Sequence, residues 1–473
     1  MTNIVENLTP LDFKRVSKKK KTTSISRPSL SYWEDAWIRL MSNKRSLVSL
    51  SIIIFLIFFT LLGPIIWNVD PSGQDLDQLS SPPGADRGAI LVEAYMPWDG
   101  LSITKNNSSE GLKDFYDLGA TEYINVEGFP STQYVRLSWN KIIGASGYRI
   151  YRNKFDPGSD NSLGLPMADI LTAEEISFED RLNLEPGEYW YSIAALDSLG
   201  RESNQYKKIA VRVSRAISIP EAIEKGIITQ TSQVAIGDTI YLKFHPLGTD
   251  YLGRDMLSRL MHGARVSLFI GVLAPIFFVI LGVFYGSIAG FIGGKVDQFL
   301  MRFADFVVAL PFLLFMILFK IAFGIGPGES GVIPMLLALV LLSWPATARL
   351  VRGQILQIRG EGYILASQLL GAKTYFLILR HMIPNTIGVI LVTLTFAIPS
   401  VIFVEAFLSF IGMGVVPPTP SWGSMCNEGL QTMLNHPHEI IFPASLISIT
   451  VLAFNLLGDG LRDALDAKMR SKE

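Results

Sequence analysis

Residues 267–290 read SLFIGVLAPIFFVILGVFYGSIAG, twenty-four residues without a charge. At about 1.5 Å of rise per residue, such a helix covers a hydrocarbon core of about 30 Å. Five more windows of this kind appear outward from it. Ser46–Ile66, Val332–Ala348 and Ile440–Leu457 are uncharged, Phe303–Phe323 holds Asp305 and Lys320, and Thr386–Phe407 holds Glu405. The first of them lies too far from the N-terminus for a cleaved signal, and no A-x-A site follows it. The composition agrees: 49% of the 473 residues are hydrophobic and 18% charged, with a mean hydropathy of +0.34. Those values point to a six-span membrane protein.

Lysine and arginine set the orientation. Lys18–Lys21, Lys44 and Arg45 precede span 1. Lys295 and Arg302 follow span 2, Arg349, Arg352, Arg359, Lys373 and Arg380 follow span 4, and Arg462, Lys468, Arg470 and Lys472 follow span 6. The alternate loops, 324–331 and 412–439, have none. Both termini are therefore expected in the cytoplasm, with a multi-pass chain in the cytoplasmic (inner) membrane. Before span 1, Trp33, Trp37, Leu40 and Met41 recur at helical spacing, the pattern of an amphipathic helix lying in the membrane interface. The expected organisation is a basic tail and interfacial helix (1–45), span 1 (46–66), an outer linker (67–127), an inserted domain (128–215), a second linker (216–265), spans 2–6 (266–458) and a tail (459–473).

The insertion has a different period. Val135, Leu137 and Trp139 alternate with polar residues, as do Tyr148 and Ile150, and then Tyr189, Tyr191, Ile193 and Ala195. Alternation bounded by Gly, Pro and Asn indicates half-buried antiparallel strands, here a β-sandwich outside the membrane. The stretches VRLSWNKIIGASGYRIYRN and LNLEPGEYWYSIAALDSLGRESN resemble a fibronectin type III domain. The resemblance makes Trp139 the core tryptophan and Tyr189 the corner tyrosine, with Tyr191 the alternative. No histidine and no Ser/His/Asp arrangement falls within it, so spacing, scaffolding or docking fits it better than catalysis.

From His245 onward, HPLGTDYLGRDMLSRLMHGARVSLFIGV, PPTPSWGSM and NLLGDGLRDALDAKMR resemble ABC-importer permeases of the oligopeptide, dipeptide and nickel class, closest to their "C"-type subunit. The resemblance implies an all-α six-span bundle of the type I, MetI-like kind, carrying the β-sandwich as an insertion. It also implies that EGYILASQLLGAKTYFLILRHMIPN, within the cytoplasmic loop 349–385, is the EAA loop that contacts ATPase subunits. Its residues here are Glu361, Gly362, Tyr363, Ile364, Leu365, Ala366, Ser367, Gln368, Leu369, Leu370, Gly371 and Ala372, followed by Pro384. Glu361–Leu370 reads as a short helix ended by Gly371. Leu365 stands where the motif usually has glutamate, and Ser367 replaces its second alanine. Both departures leave docking to shape and apolar contact.

Charges inside spans are costly unless paired or hydrated. Asp305 and Glu405 are candidates for the translocation path. The competing reading pairs them locally, Asp305 with Arg302. Prolines 275, 311, 345 and 399 interrupt spans and are candidate kinks. No G-x-x-x-x-G-K-[ST] loop occurs, and GAKT at 371–374 lacks the spacing, so ATP is expected to act through partner subunits rather than as a cofactor here. Five histidines and one cysteine form no close cluster, which argues against a metal site. The partners implied are a second permease subunit, two ATPases, an extracytoplasmic substrate-binding protein and the lipid membrane, with no nucleic acid. Peptides are the expected cargo, with nickel or another small solute as alternatives. A membrane receptor or adhesion protein displaying the sandwich is a rival from a different class. A self-sufficient channel or secondary transporter is another, opposed by the coupling loop and the scarcity of intramembrane charge.

Overall fold

The computed structural model describes residues 32–101, 118–158, 163–229, 234–323 and 330–465. The basic tail and the end of the C-terminal tail lie outside them. Helix α1 (Tyr32–Ser42) buries Ala36 and Leu40 and leaves Trp33 and Trp37 exposed, as an interfacial helix should. Asn43 ends it and starts α2 (Lys44–Leu61), its side chain accepting a hydrogen bond from the Arg45 amide. With α3 (Gly63–Ile66), α2 forms the first apolar crossing, Lys44–Ile66.

Beyond this crossing the described parts of the two expected linkers are folded. β1 (Gly88–Val92) pairs in parallel with β9 (Ala216–Ser218) and antiparallel with β10 (Thr239–Tyr241). With the short α4 (Ile219–Glu224) they enclose Leu91, Ile217, Ala222 and Leu242. Pairings of three residues across more than a hundred positions leave no local period, which is why the sequence reads as linker. Gly248 and Gly253, both at positive φ, bring this unit against the chain ahead of the next crossing. A Cβ at either would collide with the carbonyl of Ser81 or of Asp75.

Between β1 and β9 stands the sandwich. Its strands are β2 (Ile124–Glu127), β3 (Val135–Trp139), β4 (Gly147–Asn153), β5 (Ala168–Ile170), β6 (Ser177–Asp180), β7 (Gly187–Leu196) and β8 (Glu202–Val213). They form one sheet in the order β2-β3-β6 and another in the order β5-β4-β7-β8. Trp139 is buried against Tyr148, with ring centroids 5.3 Å apart. The Tyr189 hydroxyl accepts from the Glu185 amide at 3.0 Å, the bond that defines a tyrosine corner. The Tyr191 hydroxyl instead donates to buried Asp180. The sandwich starts earlier than the expected residue 128, because β2 precedes it with only Ile124 buried and so carries almost no alternation.

α5 (Met256–Ile292) begins at an N-cap made by Asp255 and runs well beyond the uncharged window. Its first turns hold buried Arg259 as well as apolar residues. The expected third span is two helices, α6 (Gly294–Ala309) and α7 (Phe312–Ala322), bent by 82°. Leu310, just before Pro311, is extended, as a residue preceding proline prefers. Prolines 275, 345 and 399 lie inside continuous helices, so of the four only Pro311 breaks its span. α8 (Val332–Ile358) then packs along α5. Gly282 faces Trp344 and Thr347, Gly286 faces Ala348, and Gly290 faces Arg352 and Ile355. Residue numbers rise together along this seam, so α5 and α8 run in parallel, and α6 with α7 must return the chain across the bilayer between them. Small residues four apart let the two backbones touch, the packing that holds helices together where lipid is as apolar as leucine.

After α8 come α9 (Gly362–Leu369), α10 (Thr374–Leu377), a π-helical turn over Ile378–Met382, and α11 (Ile383–Phe410). Pro384 lacks the N–H that would close the preceding turn, which accounts for the wider turn there. α12 (Trp422–Thr432), which has no counterpart among the expected spans, and α13 (His438–Leu465) complete the bundle. α1 packs on α13 near Gly460, where a Cβ would meet Leu40 and Ser46.

Candidate functional site

The basic side of the bundle carries α9. Glu361 occupies its N-cap position, and Gly371, at φ +82°, ends it in the left-handed region. Ile364 is its buried residue, and it joins the bundle core that includes Ile355 of α8, Ile378 and Met382. The Tyr363 hydroxyl accepts from Asn385 Nδ2 at 3.0 Å, a second tie to α11. Ser367 donates back to the Tyr363 carbonyl. Gly362, Leu365, Ala366 and Gln368 face outward, Ala372 is half-buried, and Pro384 is exposed on the first turn of α11. Leu369 and Leu370 are 90% and 88% exposed. A short helix is thus fixed to the ends of two long ones by one face and presents leucines on the other.

Nearby ion pairs fix the ends of those helices. Arg352 of α8 makes a two-pronged pair with Asp297 in the first turn of α6, both contacts 2.5 Å, and Arg359 donates to the Gly290 carbonyl. Asp305 on α6 is half-exposed and paired with Arg349 at 2.7 Å, with Arg302 farther off at 3.9 Å. Arg302 is the local neighbour named from the sequence, and Arg349, from α8, adds a closer partner. Lys320 of α7 reaches the Gly412 carbonyl at 2.9 Å. Glu405 of α11 is fully buried inside the subunit, where Oε1 accepts from Ser409 at 2.8 Å.

On the opposite side, a four-residue network that the sequence does not announce seats α12. Arg254 bonds Asp250 at 2.7 Å and Glu428 at 2.6 Å, while Arg259 bonds Glu428 at 2.7 Å and Asp250 more closely still. Trp422 is fully buried, and its indole N–H donates to the Leu260 carbonyl at 3.0 Å. Gly423 and Gly429 let α12 touch the backbones of Ala406 and Glu439. Ser421 and Ser424 close a capping box at its start, the one local signal that could have revealed this helix.

Residues 282–471 match the family of binding-protein-dependent transport system inner membrane components, and residues 31–83 match the N-terminal TM domain of oligopeptide transport permease C. These two matches leave 84–281, with the sandwich, uncovered. The oligopeptide transport system permease protein OppC of Bacillus subtilis (strain 168) is 47% identical over 228 residues, covering 48% of this chain and 73% of its own. The dipeptide transport system permease protein DppC of the same organism is 47% identical over 227 residues, 48% of this chain and 69% of its own. The glutathione transport system permease protein GsiD of Pectobacterium atrosepticum is 41% identical, covering 48% and 74%.

Proposed function

The chain belongs to the family of binding-protein-dependent transport system inner membrane components, and on that premise we propose that it is the permease subunit of an ATP-driven importer of oligopeptides or dipeptides. The observation that carries this reading is the family match over residues 282–471, which takes in α9 together with the helices it is fixed to. Relatives named for oligopeptide, dipeptide and glutathione transport support a peptide cargo. In this reading the bundle forms one half of the pathway and a second permease the other. Two ATPase subunits grip α9 and its counterpart, and an extracytoplasmic binding protein delivers the substrate. Both termini and α9 are cytoplasmic, in keeping with the lysines and arginines on their side of the spans. The ATPases close on nucleotide, α9 moves as a rigid piece, and α8 and α11 carry that movement through the bilayer. A display receptor would need one crossing and no such helix, so family membership disfavours that rival.

Co-purification tests the assembly. Tagged chain drawn from native membranes in mild detergent is expected to bring two ATPase subunits and a second permease. Recovery alone, under conditions that preserve other importers, would overturn the reading.

For the insertion we propose a spacer role, accessory to the permease itself. Arg215, between β8 and β9, is buried and donates to the Asp86 carbonyl and to Ser81 Oγ, which leaves no slack between the sandwich and the unit beneath it. β1 and β9 lie side by side, so a linker of about eight Gly/Ser residues can replace 93–214. The shortened chain is expected to reach the membrane and retain both ATPases and the second permease on purification. Failure to assemble would make the sandwich part of the permease's own structure.

A further inference from the structure

His245 lies at the outer mouth, just ahead of α5, and is buried between two carboxylates. Its Nδ1 is 2.7 Å from Asp255 Oδ2, and its Nε2 is 3.6 Å from Asp75 Oδ2. Asp255 is the N-cap of α5 and also accepts from the Trp67 indole N–H at 3.1 Å. Asp75 belongs to the segment that leaves the first crossing, and Gln78 donates to it at 2.9 Å. The two carboxylates stand on chain segments with the imidazole between them, and the same segments also meet where Ser258 Oγ donates to the Val69 carbonyl, Gln78 Nε2 to the Lys243 carbonyl and the Ser81 amide to Thr249 Oγ1. The other charged groups around this cavity of about 280 Å³ are Asp70, Asp77, Lys225 and Lys243. Lys225 is engaged with Asp77 at 2.6 Å and Glu221 at 2.9 Å and acts on Asp75 only through its field, as does Arg215, so His245 is the cation placed directly between Asp75 and Asp255.

A carboxylate only accepts hydrogen bonds, so Nδ1 must carry a proton toward Asp255 in either state of the ring. What changes with pH is Nε2. It is buried and has no hydrogen-bond partner. In the charged ring it presents an N–H to Asp75. In the neutral ring it presents a lone pair to a carboxylate oxygen 3.6 Å away, and two acceptors then face each other. We propose that His245 is a proton-operated clasp, which tightens the junction between the end of the first crossing and the start of α5 when its ring is charged and loosens it when the ring is neutral.

Burial works against the charged ring, but the hydrogen bond to Asp255 and the nearby Asp75 carboxylate outweigh it and hold His245 above its ordinary 6.5. Burial is outweighed at Asp75 too, where His245 and Gln78 hold the carboxyl below its ordinary range. A group raised in the folded state stabilises it fully below its unfolded value and loses that contribution as pH climbs through the folded one. The clasp is accordingly closed at pH 6.5 and below, down to where Asp75 takes up a proton, and opens on the alkaline side.

Three backbone bonds join the clasped segments: Asp75 N–H to the Gly253 carbonyl at 3.0 Å, Ser80 N–H to that of Asp250 at 2.8 Å, and Thr249 N–H to that of Ser81 at 2.9 Å. Hydrogen–deuterium exchange of these amides in the full chain in nanodiscs, corrected for intrinsic rate, reads the clasp without ATPase or substrate, so its failure is separate from any failure of the transport reading. Protection is expected to fall about tenfold or more between about pH 6 and about pH 9, while the sandwich amides of β7 and β8 stay protected. His245→Gln, which cannot take a charge, is expected to show the open-state protection at both values. Asp75→Asn removes the opposing carboxylate and is expected to flatten the profile with the histidine in place. Equal protection of the unaltered chain at both pH values, or a fall that persists in either variant, overturns the proposal.

Discussion

Leu369→Asp is expected to abolish uptake and ATPase co-purification while the chain still inserts and folds. The side chain is 90% exposed, so a charge there should alter stability by no more than about 0.5 kcal/mol. In a docked helix, however, an apolar anchor of this kind commonly carries about 2 kcal/mol or more of binding, roughly a thirtyfold loss on truncation, and a buried carboxylate adds its desolvation. Gly371→Val should fail differently. Nothing lies within 4 Å of a Cβ at Gly371, so the substitution meets no clash, but φ is +82°, and a β-branched residue held there costs about 1–3 kcal/mol. The end of α9 is then expected to rearrange, with ATPases still bound and hydrolysis no longer matched to uptake. Leu165→Asp, equally exposed but on the sandwich, is the control and should leave both readouts unchanged. Normal uptake in Leu369→Asp would mean that the leucine face is not what the ATPases grip.

The parts of this molecule legible in its sequence are those whose signal is local and periodic. Twenty apolar residues, or Val135-x-Leu137-x-Trp139, announce a burial pattern within one element. α9 was legible for another reason, a helix-ending glycine and a motif resemblance. What escaped depends on residues far apart. Arg259 and Glu428 meet across 169 positions, and neither alone signals a buried pair. The β1–β10 pairing joins residues 88–90 to 239–241 through strands too short to alternate. The break at Pro311 was half-legible: the proline was visible, but three other prolines stay within unbroken helices, and its own context does not say which way it goes. That α6 and α7 nonetheless cross the bilayer follows from the parallel glycine seam of α5 on α8, which only the packed structure contains.

The Asp250–Arg254–Arg259–Glu428 network should be the most sensitive point of the outer face. Arg259 is 2% exposed, and its two partners are also largely withdrawn from water. Arg259→Met keeps the volume of the stem but leaves one guanidinium to neutralise two buried carboxylates, a change that costs about 3–5 kcal/mol. Glu428→Leu leaves the opposite excess, two guanidinium groups on Asp250, and should cost a similar amount. Made together, the two substitutions restore one cation to one anion, since Arg254 and Asp250 remain paired at 2.7 Å. The double variant is therefore expected to be more stable than either single one, with a coupling of several kcal/mol, where distant sites would simply add. Thermal unfolding of the detergent-purified chain measures the cycle. Exchange at α12 locates it, because that helix should loosen in the single variants while α9, on the far side of the bilayer, still binds ATPase. Additive losses would show that each arginine acts alone and that α12 is held by Trp422 and its glycine contacts instead.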